Sequence, residues 1–123
     1  MSAVGIAKAE AAARAAGLKI RAIHASDEDF ESGREEWDLI AILYAIEKRS
    51  VLRARDALRR GGLVVVEGAH REASGGAWEF ESNELLQIFD GFTILKYAEL
   101  VGAHDWAPGK PVRMVRLVAQ RPR

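Results

Sequence analysis

The chain has 123 residues, 49% of them hydrophobic and 29% charged, with 18 basic side chains against 18 acidic ones. That length suits a single domain over residues 1–123 with one core and is too short for two, and so high an apolar content argues against disorder. Zero net charge offers no general attraction to nucleic acid or to an anionic membrane surface, and the absence of cysteine excludes a disulfide framework and thiolate metal sites.

Ser2 caps an Ala-rich helix, Ala3 to Ala16, that Gly17 ends. Val4, Ala7, Ala11 and Ala15 fall on one face, a narrow stripe suited to close packing on a sheet. Leu18–Ile23 is expected to be a short strand. Asp27–Gly33 reads as a polar loop with one buried anchor, Phe30, inside an acidic run from Asp27 to Asp38 that is best placed on a solvated face. Trp37–Leu43 is apolar on both faces after Asp38, the mark of a central parallel strand.

A largely basic helix follows between Lys48 and Arg60, with Leu52 to Leu58 in its body and Gly61-Gly62 as its stop. Leu63–Val66 is the next central strand. Ser82 or Asn83 caps a shorter helix with Glu84 in its first turn, and Phe89, Gly91 and Phe92 close it. Strands at Thr93–Leu100 and Val112–Ala119 flank a loop, 101–111, that contains Trp106, Pro108 and Gly109. No helix separates these last two strands, so they pair antiparallel. The result is an α/β fold whose sheet is mostly parallel, with one antiparallel strand near its C-terminal edge.

Several function classes find nothing to stand on. The longest apolar runs are far below membrane-spanning length and no signal segment is visible, so a cytoplasmic protein without a membrane partner is expected. His24, His70 and His104 are too scattered for metal-ligand spacing, so no metal site is expected. No nucleophile elbow, phosphate loop or paired-carboxylate arrangement is present.

The order and spacing of five segments resemble the class I S-adenosylmethionine-dependent methyltransferases, most of all the small bacterial members. Ser2–Ala9 is similar to the family's helix after its ribose-binding acidic residue, and Ala25–Phe30 to its Ala-Asp-x-x-Asp-Phe loop. Trp37-Asp38-Leu39-Ile40 and Arg60-Gly61-Gly62-Leu63 match its fourth and fifth strands. Phe92–Leu95 and Val115–Ala119 match its closing antiparallel pair. The resemblance implies a partial Rossmann-like sheet with helices on both faces, and strands 37–43, 63–67, 112–119 and 93–100 side by side in that order. It implies S-adenosylmethionine as cofactor and methyl transfer to a small-molecule substrate.

The resemblance also assigns residues. Ser26 and Asp27 would line the adenine pocket, unless they form a solvated turn. Ala41, Leu43 and Tyr44 lie where the fourth strand delivers its end to the cofactor, the edge at which open parallel sheets take ligands. Glu67, His70 and Trp106 would face the substrate. His70 is a candidate general base because its ordinary pKa is near neutrality, and Tyr44 is the other catalytic candidate; either could equally be structural.

The chain departs from the family pattern in lacking the glycine-rich cofactor loop, and Met1 falls just after the expected ribose-binding carboxylate, as in an N-terminally truncated relative. Two expectations follow. Residues 1–123 alone should bind S-adenosylmethionine weakly or not at all, and the chain is either most of a methyltransferase or a non-catalytic relative that acts as an interaction module or as a fragment of a longer enzyme. A strand at 18–23 would also be stranded two places from 37–43, leaving an exposed sheet edge that invites a homodimer.

Overall fold

The computed structural model describes residues 2–26, 28–44, 48–71, 79–104 and 107–123. The chain forms two compact units, Met1–Glu31 and Ser32–Arg123. In the first unit, α1 (Ala3–Ala15) begins where Ser2 Oγ accepts the Gly5 N–H at 3.2 Å. It ends in a Schellman motif: the Leu18 N–H reaches the Ala13 carbonyl at 2.8 Å and the Gly17 N–H that of Arg14 at 3.1 Å. Gly17 sits there at φ 68°, a conformation that side chains with a Cβ resist.

Two expectations for this unit are corrected. The stripe Val4, Ala7, Ala11 and Ala15 is exposed, and the less exposed positions of α1 are instead Ile6, Glu10 and Ala13, of which Ala13 alone is buried. Residues 18–23 form no strand. A strand needs a ladder partner for its backbone groups, and here Leu18 and Ile20 stay exposed, which removes the burial that would have favoured one.

The second unit holds β1 (Trp37–Leu43), α2 (Lys48–Ala57), β2 (Leu58–Ala69), α3 (Glu84–Ile88), β3 (Thr93–His104) and β4 (Ala107–Gln120). The strands form one mixed sheet in the order β1-β2-β4-β3. β1 pairs parallel with β2, while β4 pairs antiparallel with both β2 and β3. Three strands therefore run one way and β4 runs against them, inserted between its two predecessors, as the resemblance implied.

Register fixes which residues share a face. Ile40 pairs with Val64 and Ile42 with Val66; Val64 and Val66 pair in turn with Ala119 and Leu117. Val64, Val66, Leu117, Ala119 and Val115 are all fully buried, and side chains of α2 (Val51, Ala54), of α3 (Leu85) and of Phe89 just after it help complete this core. Burying each large apolar side chain contributes about 1.5–3 kcal/mol, so this cluster is the main source of the unit's stability. Arg55 fastens the two helices to each other. Its guanidinium donates to the carbonyls of Ile88 (2.6 Å) and Asp90 (3.0 Å) at the end of α3 and lies over the Phe92 ring.

Local chemistry shifts three expected boundaries. The helix stops at Ala57, before Gly61-Gly62, and the glycines lie inside β2. A Cβ on Gly62 would stand 2.9 Å from the Arg59 carbonyl oxygen, 3.1 Å from that of Trp37 and 3.2 Å from that of Asp38, so only glycine allows β1 this close, at the point where the β1–β2 register shifts. The expected loop 101–111 is mostly strand, since β3 runs to His104 and β4 starts at Ala107; its turn formers lie in a long hairpin rather than an open loop. Neither Ser82 nor Asn83 caps α3 with its side chain; Glu84 Oε2 instead accepts the Glu81 N–H at 2.8 Å. No helix among the described residues is long and apolar enough to cross a membrane.

Candidate functional site

The carboxyl ends of β1 and β2 lie side by side, because parallel pairing brings Leu43 beside Glu67. Tyr44 follows β1 at φ 53°, in the left-handed region that an aromatic residue seldom occupies. Its N–H extends the ladder to the Glu67 carbonyl at 3.0 Å. That turn swings the phenol back over the sheet, where its hydroxyl donates to Glu67 Oε1 and lies 3.4 Å from Met114 Sδ. Backbone strain of this kind persists only when surrounding contacts hold it, and it gathers at functional sites.

Glu67 has a second partner. It pairs with Arg116 across the β2–β4 ladder, and Arg116 Nε donates to Glu67 Oε2. Burial, then the hydrogen bond to Glu67, push the Tyr44 phenol up to about 12, and the Glu67 carboxylate also raises Arg116. Tyr44 therefore stays protonated near neutrality with its proton committed to Glu67. It is a donor that fixes the carboxylate, and it is poorly suited to act as a base.

A second polar cluster lies three residues further along the chain, just past the end of β2. His70 is almost fully buried, its N–H continuing the ladder to the Arg113 carbonyl at 2.9 Å. Its Nε2 lies 3.0 Å from Ser82 Oγ and 3.7 Å from Glu99 Oε2. Glu99 is the hub. Its carboxylate accepts from Tyr97 OH (2.6 Å), the Asn83 N–H (2.9 Å), Ser82 Oγ (2.9 Å) and Arg113 (3.2 Å). The Tyr97 hydrogen bond foremost, against the opposing effect of burial, holds Glu99 down at about 2, while burial and Glu99 push Tyr97 up to about 12. His70, Arg71, Glu81 and Ser82 line an open depression of about 260 Å³ beside this hub.

The two clusters occupy opposite faces of the sheet. Glu67 and Arg116 are directly paired and lie on the face away from the buried core, while Glu99 pairs with Val115, which belongs to the core. The expectation that Glu67 and His70 face one substrate is thus not what the fold builds. The period-2 alternation of β2 already separates an odd from an even position. Tyr44 and Glu67 are brought together; Ala41 and Leu43 are exposed on β1.

Ser26, in the first unit, forms a local turn: its hydroxyl donates to Asp29 Oδ2 at 2.6 Å and accepts the Asp29 N–H at 3.1 Å, which fits the solvated-turn reading of that loop. Asp27 and Trp106 lie outside the described residues. Sequence reasoning missed Ser82, Tyr97, Glu99, Arg113 and Arg116. The one available signal was Tyr97-x-Glu99, two polar residues at strand spacing on a face where the neighbouring strand is apolar.

No family model matches the chain, and no curated protein does. Solved structures do. TehB from Haemophilus influenzae superposes with a TM-score of 0.80 at 15% identity, over 98% of this chain and 47% of TehB. A SAM-dependent methyltransferase from Methanosarcina mazei matches with a TM-score of 0.69 at 11% identity, over 98% of this chain and 79% of that one. This chain has the fold of the S-adenosylmethionine-dependent methyltransferases. It spans about half the length of TehB. The [4+2]-cyclase SpnF, with a TM-score of 0.72 at 16% identity over 98% of this chain and 63% of its own, carries the methyltransferase fold as well, so the fold alone does not dictate the chemistry.

The described residues do not make a complete cradle for S-adenosylmethionine. The carboxylate at the shared end of β1 and β2, Glu67, is already held by Tyr44 and Arg116. Among the described residues of the second unit, the glycines at positive φ are Gly33, Gly61, Gly91 and Gly109, and none of them directly follows β1 or β2.

Proposed function

We propose that this protein supplies the strand-end half of a site for S-adenosylmethionine-dependent methyl transfer to a small-molecule acceptor, and that residues 1–123 alone hold the cofactor weakly. The observation that carries this reading is the strand order β1-β2-β4-β3, with β4 reversed, shared with methyltransferase structures and combined with a left-handed Tyr44 at the edge where open α/β sheets take ligands. In that role the Tyr44–Glu67–Arg116 cluster keeps the end of β1 in one conformation, and Ala41 and Leu43 offer apolar surface beside it. Losing one charge-assisted hydrogen bond to a ribose would alone cost on the order of 1.5–3 kcal/mol, which is roughly ten- to a hundredfold in affinity.

The test is a backbone-amide NMR titration of residues 1–123 with the demethylated cofactor product. Weak shifts confined to Ala41, Leu43 and Tyr44 support the proposal. Micromolar affinity overturns the weak-binding part, and no localised shift at millimolar ligand overturns the site.

One observation favours a second reading, a non-catalytic relative that acts as an interaction module. The hydrogen-bonding groups at the strand ends are engaged with one another, as Glu67 with Tyr44 and Arg116 shows. Under that reading the same titration shows no binding, and the chain's partner is another protein surface.

A further inference from the structure

The depression beside the Glu99 hub plays no part in the methyl-transfer reading. It lies on the other face of the sheet from Glu67 and its Tyr44 partner, and Ala41 and Leu43 share the Glu67 face through the β1–β2 register. Its back wall is rigid. His70 has a side chain only 4% exposed and is held by Ser82, which is held in turn by Glu99. Ser82 has one proton and gives it to the Glu99 carboxylate, so its Oγ accepts from His70, and His70 carries a proton on Nε2. A hydroxyl oxygen has two lone pairs, which leaves Ser82 one more with which to accept at the depression it lines.

The mouth is loose by comparison. Arg71 and Glu81 meet there at 2.6 Å with side chains 58% and 61% exposed. Ion pairs this exposed contribute little stability, so a ligand opens this one at small cost. Behind them the Glu99 carboxylate is matched by Arg113 at 3.2 Å. Among the described residues the depression thus presents both signs of charge and an excess of neither.

We propose that this depression is a binding site for a small zwitterion of the α-amino acid class, separate from the strand-end surface of Ala41, Leu43 and Tyr44. Arg71 keeps further N–H donors beyond the one directed at Glu81, and these take the carboxylate. Glu81 and Ser82 accept from the ammonium. Charge selects the ligand. A lone anion would draw Arg71 away and leave Glu81 uncompensated, and a lone cation would do the reverse. A molecule with both charges replaces one ion pair by two. Because Arg71 and Glu81 are in contact, the ligand's two charges must be close together, as on neighbouring atoms of an α-amino acid. The volume of about 260 Å³ lies below the usual ~300–1,000 Å³ of drug-sized sites, which suits an amino acid rather than a nucleotide.

The test is a backbone-amide NMR titration of residues 1–123 with glycine, beside acetate and methylammonium at matched ionic strength. Glycine is expected to give saturable shifts at Arg71, Glu81 and Ser82, with an affinity about tenfold or more above either singly charged probe. Arg71→Gln and Glu81→Gln alter only exposed side chains, and each is expected to lower glycine affinity about tenfold or more while the amides of β1 and β2 keep their positions. Acetate or methylammonium binding as well as glycine overturns the proposal. So does the absence of a localised glycine shift, or a folded Arg71→Gln that binds glycine like wild type. Should a variant fail to fold, the preference of the wild-type chain for glycine over acetate decides. No cofactor enters this titration, so its result is independent of the methyl-transfer reading, which is read at Ala41, Leu43 and Tyr44.

Discussion

Glu67 stands opposite Arg116 on the antiparallel β2–β4 ladder and takes hydrogen bonds from Arg116 on one carboxylate oxygen and from Tyr44 on the other. One carboxylate thus ties together the two parallel strands and the reversed one. Replacing Glu67 by Gln keeps the shape and removes the charge. That change is expected to lower stability by about 1.5–3 kcal/mol in denaturant melts, the range for hydrogen bonds to a charged group. It should also release part of the upward push on Tyr44, leaving burial opposed by Arg116.

The tyrosines give that claim a spectroscopic reading. The chain contains two, and both phenols are pushed up from 10.0 to about 12. An absorbance titration of the folded protein should therefore show no phenolate step near pH 10, whereas the unfolded chain should. Because the folded state holds the protons more tightly, stability is fully present below pH 10 and falls as pH rises from about 10 toward 12. In Glu67→Gln one of the two phenols should titrate earlier and the other should stay put; a native titration at pH 10 would sink the assignment.

Glu99 produces the opposite pH dependence. Its pKa is lowered from 4.5 to about 2, so the stability it contributes is present above pH 4.5 and lost as pH falls from there toward 2. Glu99→Gln is expected to be less stable than wild type by about 1.5–3 kcal/mol near neutrality. Chemical denaturation of both proteins at neutral pH and at roughly pH 3 should show the gap narrowing with acid. A gap independent of pH would mean that the carboxylate's charge is not what anchors Tyr97, Ser82 and Asn83.

Two glycines should respond differently to the same added methyl group. In Gly62→Ala the new carbon meets three backbone carbonyls, which have little room to move, so a cost of about 1–3 kcal/mol or more is expected, with weakened β1–β2 pairing in amide exchange. Gly91, at φ 82° with open space around the built Cβ, should incur only the left-handed penalty of about 1–2 kcal/mol and no local change in exchange.

The sheet was more legible in the chain than the site. Strands that bury a face announce themselves through runs such as Leu63–Val66, and the short connection between β3 and β4 forced an antiparallel pair. Ser2 and Gly17 likewise carried the ends of α1 in their own chemistry. What failed was anything decided by distant partners. Leu18–Ile23 has strand composition and no strand to pair with, and Gly61-Gly62 reads as a helix stop until the approach of Trp37 and Asp38 shows why glycine is there. Most of the Glu99 hub was hidden for the same reason: beyond the local Tyr97-x-Glu99 pair, its partners lie at positions 82, 83 and 113, brought together by a ladder and a helix start that no local pattern encodes. Tyr44 and Glu67 were found because both lie where the parallel pairing of β1 and β2 ends, a place that sequence order does reveal.

The placement of β4 between β2 and β3 has a consequence for how the molecule comes together. β2 and β3 share no ladder, so the sheet stays in two pieces, β1 with β2 and β3 apart, until residues 107–120 take their place. Leu63 must find Gln120 and Val66 must find Leu117, closures across half the chain that weigh on folding speed. During synthesis the apolar face of β1 and β2 is therefore made early and completed late. For that interval Val64 and Val66 lack Ala119 and Leu117 beside them, and the nascent chain is at its most adhesive.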